Sequence, residues 1–260
     1  MKLSEIFKTL EEKVAPVALS DELCKKFNMY DNSGIIVDCG KDIVGAVFSL
    51  DLSAGAIKAA KSKGYNLIVT HHPAIYGGIS RINNTDPVAA NIAECVVCGI
   101  SVISMHLNFD CAPRGIDYHL MEGLGGKDGK ILAELSRGGY GRVYEVEPIP
   151  FYAYAEKVKA VFKSGRVLTY GADRQIKKVA SFCGAGCDER AIAFAAENNA
   201  DVFVSSDMKH HEITALIQRG INVIVLTHYS SENYGFNKIY NEISAGLPVP
   251  AAYYDDAELR

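Results

Sequence analysis

No stretch of this 260-residue chain approaches the roughly 18 consecutive apolar residues that a membrane-spanning helix needs, so a protein that stays out of the membrane is expected. The first residues, MKLSEIFKTLEEKV, carry acidic groups and an apolar pattern of helical period (Leu3, Ile6, Phe7, Leu10), which reads as an amphipathic helix and not as a signal peptide. Excess positive charge is also missing. With a net charge of −4 and a pI near 6.0, nothing general attracts a phosphate backbone, and nucleic acid is not the expected partner. The seven cysteines are odd in number and scattered, which is no disulfide framework and fits a reducing cytoplasm. Cys95 and Cys98 form a single CxxC without the second pair of a zinc ribbon, and they fall within the helical stretch DPVAANIAECVVCG, so they are expected to be buried helix cysteines. Low-complexity segments and short repeats are absent.

What is there alternates between strand and helix. DIVGAVFSLDL (42–52), YNLIVTH (65–71) and ISVISMH (100–106) read as strands, and SAGAIKAAKSKG (53–64) and DPVAANIAECVVCG (86–99) as the helices between them. Asp86 before Pro87 marks a helix start, while Gly64 and Gly99 mark helix ends. Strands apolar on both faces imply a largely parallel sheet covered by helices on both sides. The glycine-rich, charged segment EGLGGKDGK (122–130) breaks the pattern. A second α/β series follows it, which predicts two α/β domains, 1–125 and 126–260.

Chemistry collects at strand ends. THHP (70–73) places two histidines side by side where an apolar run stops, a poor arrangement inside a sheet because neighbouring residues face opposite ways. His106 closes the next parallel strand, with Asp110 expected in the loop after it. In THYSSE (227–232), His228 ends a later strand, Ser230 is the expected N-cap, and Glu232 lies one helical turn on. Ligands in open α/β sheets bind beyond the carboxyl ends of the strands, where all of these residues fall. Each histidine taken alone has an alternative as a local cap or hydrogen-bonding group. Together they read as a metal site: His71 and His72 reach two different ions, Asp110 and Glu232 bridge with two oxygens each, and the mixture suits Zn, Fe, Mn or Co better than Ca. In DMKHHE (207–212), Asp207 ends a strand and is a candidate to support the ligands or bind substrate, and His211 stands in the first turn of a helix whose N-terminus favours anions, making His211 a candidate to move protons or bind substrate, with a surface or capping role as the alternative. CGAGCDE (183–189) lacks the full GxGxxG of a dinucleotide site and reads as a packing turn that a ligand could approach.

THHP, HLNFD (106–110), DMKHHE and THYSSE, in that order, together with DNSGIIVD (31–38), resemble the motifs of the NIF-three-like proteins, often labelled type 2 GTP cyclohydrolase I homologues. The resemblance covers almost the whole chain and matches the short form without a mid-chain insertion. It implies a ring-shaped homohexamer with two divalent metal ions per chain, held by His71, His72, Asp110, His228 and Glu232, with His106 beside the site. The implied activity is metal-dependent hydrolysis of a C–N bond in a small molecule, as in opening the purine ring of GTP. A non-catalytic metal-binding or partner-binding ring remains the alternative.

Overall fold

The computed structural model describes residues 1–260, which pack as two compact units. Unit 1 comprises Met1–Ala112 and Phe236–Asp256, and unit 2 comprises Pro113–Gly235 and Ala257–Arg260.

Unit 1 contains α1 (Leu3–Lys13), α2 (Ala18–Phe27), β1 (Gly34–Val37), β2 (Ala46–Ser49), α3 (Ala54–Lys63), β3 (Leu67–Thr70), α4 (Pro87–Cys98), β4 (Ser101–Ser104), the short α5 (Leu107–Cys111) and the last strand of the chain, β11 (Ala251–Tyr253). Its sheet has the order β1-β4-β3-β2-β11, parallel except for β1. β2, β3 and β4 are buried at every position, as runs apolar on both faces require. Side chains such as Ile68, Val69 and Ile103, with no exposed surface, contribute about 1.5–3 kcal/mol each by burial. Helix boundaries follow local chemistry. Ser53 accepts from the Ala56 amide at the start of α3, and Asp86 accepts from Val88 and Ala89 at the start of α4. Gly64 and Gly99 end these helices at φ 68°, a left-handed conformation that glycine adopts without strain.

Unit 2 contains α6 (Ile116–Gly123), β5 (Lys130–Glu134), β6 (Gly139–Pro150), α7 (Phe151–Phe162), β7 (Val167–Tyr170), β8 (Gln175–Ser181), α8 (Glu189–Glu197), β9 (Val202–Ser206), α9 (His210–Gln218) and β10 (Asn222–Leu226). α10 (His228–Ile243) follows, and the division between units falls inside it. The sheet order is β5-β6-β8-β9-β10-β7. Its parallel centre, β8-β9-β10, is flanked by antiparallel β5, β6 and β7. A four-residue link between β5 and β6 leaves room only for a hairpin, since parallel neighbours need a long crossover.

The fold is thus mixed α/β with two sheets and ten helices. Its boundaries differ in detail from the sequence reading. The strand expected over 42–52 is confined to Ala46–Ser49; Asp42 is exposed and paired with Lys2 at 2.9 Å. The units divide after Ala112 instead of near residue 125, and Phe236–Asp256 pack with unit 1 instead of the second half. β11 pairs in parallel with β2, Ala251 opposite Ala46, and Phe236 stacks at 6.2 Å from Phe48, which ties that C-terminal stretch to the first sheet. Cys95 and Cys98 lie on α4, buried and half-buried, in the apolar cluster that also takes Cys39. Burial pushes the Cys95 thiol up to about 12, so it is inert packing at neutral pH.

Candidate metal centre

In unit 1 the strand ends at Thr70, and the two histidines lie beyond it. Their backbone is held by the end of β2: the His71 amide donates to Leu50 O at 3.1 Å and the His72 amide to the same carbonyl at 2.9 Å. Thr70 Oγ1 closes the turn by donating to His72 O at 2.8 Å. The two rings, 5.0 Å apart between centroids, can therefore leave the sheet on separate paths. His71 is fully buried and donates from Nδ1 to Met105 O at 3.0 Å. His72 donates from Nδ1 to Asp51 Oδ1 at 2.7 Å.

His106 is the N-cap of α5, its amide donating to Ser33 Oγ at 3.0 Å and its Nδ1 to Asp31 Oδ1 at 2.7 Å. Burial pushes the Asp31 carboxyl up, but the His106 hydrogen bond and charge, with donation from Ser33 and Ser20, outweigh it and hold the group at about 2. Asp110 is not in a loop: it stands in the first turn of α5, 3% exposed, one turn after His106. Asp110 Oδ1 is 3.5 Å from His71 Nε2, and ligand atoms of His71, His106 and Asp110 all lie within 4.8 Å of one another. His106, ranked by the resemblance beside the site, is thus a full member of this group. A cavity of about 130 Å³ opens beside His72, lined by Asp51, Leu52, Pro73, Ala74, Val88 and Asn91.

In unit 2, β10 ends at Leu226, and His228 opens α10 instead of ending the strand. The N-cap is Thr227, not Ser230: Thr227 Oγ1 accepts from the Ser230 amide at 3.2 Å. His228 and Glu232 therefore share a helix face, with Nε2 3.1 Å from Oε2. His228 Nδ1 donates to Asp207, which follows β9 in the left-handed region at φ 51°, an uncommon conformation for a residue other than glycine. Gly184, at φ 58°, covers Glu232 so closely that a Cβ there would stand 2.2 Å from Oε1. Cys183 beside it brings Sγ within 4.8 Å of a Glu232 carboxylate oxygen. His211 is exposed on the first turn of α9 and belongs to neither donor group.

One pattern recurs. His71, His72, His106 and His228 each give Nδ1–H to a carbonyl or carboxylate, which fixes the tautomer and turns the lone pair of Nε2 outward, as in metal-ligating histidines. The residues present thus fit divalent metal. Asp31 and Asp51 are the functional residues that sequence reasoning missed. Asp51 had a signal, standing at the carboxyl end of β2, and Asp31 sat unexploited in DNSGIIVD.

Clusters of anchored imidazoles and buried carboxylates at the strand ends of two α/β units define a protein with candidate metal-ligand sites. The chain belongs to the Duf34/NIF3 (NGG1p interacting factor 3) family, whose sequence profile matches residues 1–253. It is 31% identical over 240 residues to the GTP cyclohydrolase 1 type 2 homolog of Clostridium perfringens, covering 89% of this chain and 87% of that one. A Campylobacter jejuni protein of the same name is 31% identical over 252 residues, covering 96% and 94%. The fold matches the crystal structure of Staphylococcus aureus hypothetical protein SA1388, with a TM-score of 0.83, 22% identity and coverage of 99% and 97%.

Proposed function

We propose that the donor groups bind two divalent ions of Zn, Fe, Mn or Co per chain, as the family resemblance implies, and that the protein is a hydrolase of the GTP cyclohydrolase type. The observation that carries the metal reading is the shared anchoring of four histidines at Nδ1. The names of the relatives carry the substrate class. When bound, two such ions would polarise an electrophilic carbon and lower the pKa of water at neutral pH.

The chain's own residues do the rest. His71, His72, His228, Asp110 and Glu232 would hold the metal, the imidazoles each giving one nitrogen and the carboxylates offering two oxygens each, with His106 completing the unit 1 group. Asp31, Asp51 and Asp207 hold their imidazoles in the ligating orientation. His72 is half-buried and lines the cavity beside the unit 1 group. His211, exposed and outside the ligand set, delivers the proton to the leaving nitrogen.

A second reading is a metal-binding ring without catalysis. The cavity beside His72 favours it, since about 130 Å³ is below the 300–1,000 Å³ usual for pockets that enclose a small-molecule ligand. Assembly as a homohexamer in the cytoplasm belongs to both readings. The resemblance implies the ring, and Val88, Val96 and Val97 expose apolar surface along α4 that a second copy would cover. No helix is long and apolar enough to cross a membrane. Incubating metal-loaded protein with GTP and cyclic amides separates the readings: the hydrolase reading expects loss of purine-ring absorbance that disappears in His71→Ala. Full metal content with no turnover of any of these substrates selects the binding protein.

A further inference from the structure

The turn after β8 does more than pack. We infer that Cys183 supplies a thiolate ligand to the metal held by His228 and Glu232, an assignment that rests on the metal reading above and extends its ligand set by one soft donor.

The geometry supports it from three directions. Cys183 is buried, at 2% exposure, yet it faces an ionisable group, with Sγ within 4.8 Å of a Glu232 oxygen. Two ligand atoms on one tetrahedral ion stand about 3.5 Å apart, so a small side-chain adjustment brings sulfur and oxygen onto the same metal. Glu232 also stands next to an imidazole, its Oε2 lying 3.1 Å from His228 Nε2.

The backbone carrying the thiol is also fixed. The Cys183 amide donates to Asp117 Oδ1 at 3.4 Å, and its carbonyl accepts from the Tyr140 hydroxyl at 2.6 Å. Asp117 is fully buried and is held in turn by Arg142 Nε at 3.0 Å and the Gly141 amide at 3.1 Å. On the other side, Gly184 O accepts from Ser205 Oγ at 3.0 Å and Ser206 Oγ at 2.7 Å, and Gly184 N donates to Ser231 Oγ at 3.2 Å. Ser231 stands next to Glu232, so one network sets the thiol and the carboxylate together.

On binding, the Cys183 S–H bond breaks, its proton leaves to solvent and a sulfur–metal bond forms. A thiolate shifts preference towards Zn, Fe(II) and Co and away from Mn and Mg.

The test is Co(II) loading of metal-stripped protein, with bound cobalt measured by elemental analysis and the near-ultraviolet spectrum recorded. The parent should bind cobalt and show a thiolate-to-cobalt charge-transfer band. That band should vanish in Cys183→Ser and persist in Cys98→Ser and Cys187→Ser, and the preference for cobalt over manganese should fall on the order of tenfold in Cys183→Ser alone. Cobalt bound without the band, or a band that survives Cys183→Ser, overturns the thiolate and leaves the dinuclear reading standing. Failure to bind cobalt at all overturns both. X-ray absorption of the zinc-loaded parent needs no variant: a sulfur neighbour at about 2.3 Å is expected, and a shell of nitrogen and oxygen only rejects it.

Discussion

Glu232 and His211 differ in what surrounds them, and their variants should differ accordingly. Glu232 is 3% exposed, touches His228 Nε2 and lies under Gly184. Replacing it by Gln keeps the shape but removes the negative charge that offsets repulsion between two dications, so Glu232→Gln should lose at least one metal per chain. His211→Ala, changing an exposed side chain outside both donor groups, should keep its metal and slow hydrolysis on the order of 10²-fold. Metal content and turnover measured on both variants separate the roles; metal loss from His211→Ala would make His211 a ligand. Asp31 gives a pH signature. The His106 partnership holds its carboxyl at about 2, below the ordinary value of 3.8, so its contribution to stability is present above pH 3.8 and is lost as the pH falls towards 2. The shift corresponds to about 2 kcal/mol. Denaturant unfolding of metal-free protein at pH 5 and pH 3 should lose less stability between the two in Asp31→Asn than in the parent. Equal losses would contradict the Asp31–His106 assignment.

At the scale of elements, the caps were legible because each is written within four residues. Asp86, Pro87, Gly64 and Gly99 do what local chemistry says. Asp86→Ala should accordingly cost about 1 kcal/mol, seen as a lower thermal midpoint, with metal content unchanged. The THHP and THYSSE motifs were legible for a related reason: a polar pair directly after an apolar run has to stand at a sheet edge. The short helix holding Asp110 was not, since five residues carry too little periodicity to be distinguished from a loop. Nor was Thr227 as the cap of α10, because Ser230 offered a competing oxygen three residues later. The anchors Asp31 and Asp51 reach histidines 75 and 21 positions away, and nothing local in a sequence reports such a partnership.

At the scale of the molecule, the mixed α/β class followed from alternating patterns, whereas the route of the chain did not. β11 returns to β2 across roughly two hundred residues, a pairing set by the edge left open in the first sheet. The same scale governs assembly. Val97 is 86% exposed on α4, and a ring of six copies of the 28.2 kDa chain should scatter light as a particle of about 169 kDa. Val97→Asp should shift that mass downward while each chain keeps its helical content, if the α4 face is the contact. A parent of monomer mass would remove the ring and leave the metal site in place.

The central claim is that the anchored histidines and buried carboxylates hold two divalent ions. Elemental analysis of metal-replete protein, beside the His71→Ala, His228→Ala double variant, tests it directly. The account predicts close to two ions per chain in the parent and a clear loss in the variant. One ion or none in the parent, or equal binding by both proteins, would contradict it.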